Sequence, residues 1–145
     1  MRFFLVPILA LRLSSAIAGA TISDAVEPSA TCLSYEHQLV TLSGAVFSRI
    51  YFGPPGYGET PKQDAREHAT LLLLDAPICV KEDPQLYSQF EGNVVLVQLA
   101  AVSIDPHVLE KGQGHRATVQ GTLYHSETGH HRTAVLVDVH SLTVP

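Results

Sequence analysis

HQLVTLSGAVFSRI, residues His37 to Ile50, is the stretch on which the fold turns. Val40, Leu42, Gly44 and Val46 alternate with Leu39, Thr41, Ser43 and Ala45, the period of a strand with one face in a core and the other toward solvent. Gly44 interrupts an otherwise well-filled strand, which predicts a bulge or a sharp bend. The same device recurs downstream. VTLSGAV in this stretch and ATVQGTL within HRATVQGTLYH (residues 115–125) both place glycine after apolar alternation. Strands that close into a small barrel must bend strongly, and glycine permits the bend.

Working outward, FGPPGYGETPKQDARE (Phe52 to Glu67) is dense in glycine and proline and predicts a long loop. HATLLLLD (His68 to Asp75) predicts a second strand, because Pro77 follows too closely for a helix. NVVLVQLAAV (Asn93 to Val102) predicts a third. SIDPHVLEKGQG holds a single helical turn between Pro106 and Lys111, ended by Gly112. His115 to His125 and Thr133 to Val144 complete the set as fourth and fifth strands. No helix is long enough for a doubly wound sheet, so the chain reads as all-β. Five strands with a short helical turn between the third and fourth predict an OB-like Greek-key barrel over residues 32–145.

The N-terminus reads differently. In MRFFLVPILALRLSSAIAGA, Arg2 precedes an apolar run from Phe3 to Leu11, and small residues follow in A-x-A patterns. That is the pattern of a cleaved signal peptide over residues 1–20, with 21–31 a flexible segment. Its removal takes away Arg2 and Arg12 and no acid. Lys+Arg then falls from nine to seven against fourteen acids, a formal charge of −7 with histidine neutral. Such a domain has no general attraction for nucleic acid or anionic lipid. The two cysteines, Cys32 and Cys79, predict a disulfide in an exported, periplasmic or extracellular bacterial protein.

YHSETGHHRTAV (Tyr124 to Val135) is the chemically unusual stretch. Thr128 and Gly129 suit a hairpin turn whose imidazoles simply bond nearby backbone. In an OB-like barrel, this turn and the Gly/Pro loop both flank the ligand face. The expected working surface is therefore the 126–132 turn with the 52–67 loop, through Tyr57, Thr128, His130, His131 and Arg132. The expected partner is an envelope protein, a peptide or a small ligand, with no nucleic acid and no membrane anchor. The alternative takes His125, His130 and His131 as Zn²⁺ or Cu²⁺ ligands, although neighbouring strand residues point to opposite faces and no HExxH is present. No cofactor is otherwise implied. Catalysis is not expected, since there is no G-x-S-x-G elbow, and GPPGYG lacks the Lys-Ser/Thr ending and the helix of a phosphate loop.

The chain also resembles an uncharacterised family of small secreted bacterial proteins that carries a T-G-H-H-H-T signature near the C-terminus. Here the signature stands as Thr128-Gly129-His130-His131-Arg132-Thr133. Cys32-Leu33-x-Tyr35-Glu36, Gly53-Pro54-Pro55-Gly56-Tyr57 and Ala76-Pro77-Ile78-Cys79-Val80 match in order, so the resemblance covers roughly residues 32–142. Arg132 departs from it, standing where the pattern has a third histidine. The resemblance implies fold and compartment and names no chemistry.

Overall fold

A computed structural model of the chain describes residues 32–145. The expected signal peptide and flexible segment lie outside the described residues. Five strands follow in order: β1 (Leu39–Phe52), β2 (Arg66–Val80), β3 (Glu91–Ala100), β4 (Arg116–His125) and β5 (Val135–Thr143). One helix, α1 (Pro106–Gly112), joins β3 to β4, and a 3₁₀ turn at Pro84–Leu86 lies between β2 and β3. Asp105 caps α1 by accepting from the His107 N–H at 2.9 Å, and Pro106 occupies the first turn, where a missing N–H costs nothing.

The strands close in a ring in the order β1-β2-β3-β5-β4. Every pairing is antiparallel except β3 with β5, a short parallel match of Gln98 to Leu136, Leu99 to Val137 and Ala100 to Asp138. β1 is long because it serves two neighbours: Leu39–Ala45 pair with β4, and Gly44–Phe52 pair with β2. Gly44 stands where one partner gives way to the other. A Cβ there would lie 2.1 Å from the Leu73 carbonyl oxygen, so β2 can cross only over glycine. Gly121 does the same in β4, at a register shift, where a Cβ would lie 2.2 Å from the Asp138 carbonyl oxygen. The recurring glycine of the two sequence segments thus marks two close backbone crossings.

β2 runs past Asp75, the end that its sequence suggested, as far as Val80. Its register with β3 shifts between Leu73 and Ile78, and Pro77 falls inside that irregularity. Proline donates no N–H, and a bulge is where a strand can hold it without losing a ladder bond.

Inward residues of all five strands build the core, with Val46, Leu72, Val97, Val119, Leu123, Val137 and Val139 almost wholly buried. Each contributes roughly 1.5–3 kcal/mol by leaving water. Leu109 of α1 and Tyr35, ahead of β1, complete this cluster. Leu33 bridges in parallel to Val80, and Cys32 is bonded to Cys79 beside it. The disulfide therefore ties the entering chain to the far end of β2, as the two cysteines predicted.

Candidate functional site

The Gly/Pro loop is organised around one carboxylate. Asp64 is almost fully buried and accepts from the Gly56 N–H at 2.8 Å, the Gly58 N–H at 2.7 Å and the Thr60 hydroxyl at 2.6 Å. A longer bond from the Thr60 N–H, 3.3 Å, completes the set. Burial pushes the Asp64 carboxyl up, but the Thr60 hydroxyl and the three amides outweigh it and hold the group below its ordinary range. A loop this rich in glycine has high entropy to lose, and four donors on one carboxylate fix its path.

The histidine turn does not project from the barrel. It folds back over the outside of the sheet. Cross-strand partners share a face, and one row on the outer face runs Phe47, Leu71, Gln98, Leu136, Tyr124 across β1, β2, β3, β5 and β4. Leu71 and Leu136 are fully buried although they stand apart from the inner core. The 126–134 segment lies over this row. The Arg132 N–H donates to Gln98 Oε1 at 2.6 Å, the Gln98 N–H donates to Thr133 Oγ1 at 2.9 Å, and the His131 ring packs edge-on against Tyr124. The turn is thus a strap, and Gln98 is the polar post to which it is fastened.

Glu67, at the start of β2, joins strap to loop. The Arg132 guanidinium donates to Glu67 Oε2 at 2.5 Å and to the Phe52 carbonyl at 3.2 Å, and it lies 5.0 Å from the centre of the Tyr51 ring. His130 Nδ1 stands 2.9 Å from the same carboxylate. The His130 hydrogen bond, then the charges of His130 and Arg132 against some burial, keep the Glu67 carboxyl below the ordinary carboxylate range. Tyr57 reaches over from the Gly/Pro loop. Its ring meets the His130 ring edge-on at 6.0 Å and lies close to Gly129. The two stretches singled out in the sequence are in direct contact.

The structure separates the three histidines by task. His125, at the end of β4, is half-buried, with Nε2 3.2 Å from Glu91 and its ring against Tyr35. His130 faces Glu67. His131 accepts the Glu127 N–H on Nδ1 at 2.8 Å, and burial holds its pKa below the usual histidine value. Among the described residues, no group of three or more His, Cys, Asp or Glu is arranged to hold a metal ion. Thr128 shapes the turn, its carbonyl accepting from the His131 N–H and its hydroxyl from the His130 N–H.

Tyr57, His130 and Arg132 therefore converge on one place, and Thr128 and His131 support it from within the strap. Sequence reasoning missed Gln98, and it set Asp64 and Glu67 aside as solvated charges of the long loop. For Gln98 a signal existed: it is the one polar side chain in the apolar run VVLVQLAAV. For Asp64 and Glu67 the sequence offers only carboxylates in a long loop, which are ordinarily just solvated.

Residues 96–143, from β3 through β5 and including the whole strap, match the family model described as Domain of unknown function (DUF4431). That match agrees with kinship to an uncharacterised family. No curated protein and no solved structure matches the chain.

Proposed function

We propose that this chain is an exported, non-catalytic binding module whose working surface is the 126–132 strap together with the 52–67 loop. The observation that carries this reading is the junction at Glu67, which makes one fixed surface from two segments distant in sequence. Tyr57, 46% exposed, and the exposed His130 stand on that surface as an aromatic and an imidazole available to a partner. Rigid aromatic side chains on a preorganised scaffold lose little entropy on binding.

The strand order, and a helix between β3 and β4, support an OB-like barrel, a fold that binds ligands between these same two loops. A non-catalytic role fits the commitments of the carboxylates, since Asp64 holds loop amides and Glu67 is paired with Arg132. The Cys32–Cys79 bridge and the signal-like N-terminus support export to the periplasm or beyond. Among the described residues no helix is long and apolar enough to cross a membrane. A protein or peptide of the bacterial envelope is the expected partner.

Envelope extract passed over the wild-type domain, over Tyr57→Ala/His130→Ser and over a control altered at Lys111, an exposed residue of α1 outside both segments, tests the reading. Partners retained by wild type and control and lost by the double variant support it. Equal retention by all three overturns it.

A further inference from the structure

A second concave surface lies on the outside of the barrel. Glu36, His37, Val102, Thr122, Tyr124 and Asp138 line an open groove of about 450 Å³. Its floor follows from strand pairing: Thr122 of β4 stands opposite Asp138 of β5, and Leu39 of β1 stands opposite Thr122. One wall is the turn at Glu36 and His37, both at positive φ, which swings the chain aside before β1 begins. The other wall is Val102, just beyond β3. Volumes of this order suit small ligands or a single side chain.

Among the described residues, the charge in the groove has no permanent counter-ion. Asp138 is held by neutral donors, the Ser103 N–H at 2.9 Å and the Ser103 hydroxyl at 2.6 Å. The nearest basic groups to the two carboxylates are imidazoles, His140 at 3.8 Å from Asp138 and His37 at 4.0 Å from Glu36. Elsewhere the pattern differs, with Asp75 paired to Arg116 and Glu67 to Arg132. Tyr124 registers the resulting field: burial first, then the charges of Asp138 and Glu127, raise its phenol above the ordinary value. A cleft lined by one sign of charge concentrates ions of the other. Val102 lines the groove at 76% exposure, and Leu39, at 57%, stands at its edge as the cross-strand partner of Thr122. A carboxylate floor, an aromatic ring and an aliphatic rim complement a cation carried on an aliphatic arm.

We infer that the groove between the 36–37 turn and Val102 binds an alkylammonium group, with Glu36 and Asp138 facing the charge, Tyr124 flanking it and Val102 and Leu39 covering the chain. The site is separate from the strap-and-loop surface except at Tyr124, whose ring touches His131 of the strap. The chemistry is shared by free diamines and by lysine side chains.

Amide-resolved NMR titration of the oxidised domain at neutral pH tests it with three probes: 1-butylammonium, 1,5-diaminopentane and N-acetyl-lysine amide. Saturable shifts centred on Thr122, Tyr124 and Asp138 are expected, with 1-butanol producing none. A stronger response to diaminopentane than to the lysine amide identifies a free amine as the source, and the reverse identifies a side chain. Glu36→Gln should bind at least about tenfold more weakly. Thr122→Lys, which places an ammonium in the groove at a partly exposed position, should abolish binding while the remaining amide spectrum is retained. Shifts that fail to saturate, that 1-butanol reproduces, or that survive Thr122→Lys would overturn the inference.

Discussion

Arg132 and Glu67 lie 65 residues apart in sequence and 2.5 Å apart in space. Through that contact the turn between the last two strands is fastened to the first residues of β2. The guanidinium donates from one terminal nitrogen to both Glu67 and the Phe52 carbonyl while packing over Tyr51, a combination that a shorter imidazole, with at most one N–H on each ring nitrogen, does not reproduce.

Arg132→His and Arg132→Ala should therefore both loosen the strap. Hydrogen exchange at the Glu127, His131 and Gln98 amides should accelerate in both variants, and Tm should fall by several degrees. Arg132→Lys should recover only part of the loss. Unchanged exchange in Arg132→Ala would show that Gln98 and the Tyr124–His131 contact suffice to hold the strap.

Leu71→Ala and Leu136→Ala should each cost about 2–5 kcal/mol, the range for a buried leucine in a packed core. Both face outward, so a barrel without a strap would lose much less at these positions. Urea unfolding of the two variants beside Leu72→Ala measures the difference. A cost below that of an exposed leucine would mean that the outer row is not a packed layer.

Replacing Cys32 and Cys79 together by serine should lower stability by about 4 kcal/mol, the chain-entropy expectation for a loop of this length. Reduction of the native domain should lower Tm to a similar extent. Protection should be lost first at Leu33 and Lys81, whose backbone bonds accompany the bridge.

Acid should destabilise the loop and strap before the barrel. Asp64 and Glu67 have folded pKa values below their ordinary 3.8 and 4.5, and His131 below its ordinary 6.5. In each case the unfolded chain takes up the proton first. Each contribution is therefore complete above the unfolded pKa and lost as pH falls through the folded one. Stability should decline in two stages, first below about pH 6.5 from His131 and then below about pH 4.5 from the carboxylates. Asp64→Asn should remove part of the second stage and His131→Phe the first. At the alkaline extreme, burial and the neighbouring Glu91 push Tyr35 up to about 12. Its contribution is complete below pH 10 and lost as pH rises toward that value.

Gly121→Ala should be costly, because a methyl there would sit 2.2 Å from a backbone oxygen that belongs to the neighbouring strand. Overpacking of this kind costs about 1–3 kcal/mol or more, since a carbonyl cannot step aside as a side chain can. Gly114→Ala is the contrast, with open space around its Cβ but a positive φ, so its cost is backbone strain alone.

By itself, the sequence determined whatever depends on neighbours along the chain. Alternation in HQLVTLSGAVFSRI and HRATVQGTLYH set two strands and their inward faces, Pro106 and Gly112 bounded the single helix, and two cysteines in an exported-looking chain specified one bridge. Glycine in VTLSGAV and ATVQGTL marked the close crossings, because nothing larger fits where two backbones meet. Tertiary structure alone decided the rest. Leu71 and Leu136 stand on the outward faces of their strands, and they are buried only because a segment from elsewhere in the chain folds across them. Glu67 and Asp64 look in sequence like ordinary solvated loop charges. Their roles come from donors up to 65 residues away and from loop amides whose direction follows no periodicity. Local patterns fix which face a residue presents, whereas closure of the barrel fixes what that face meets.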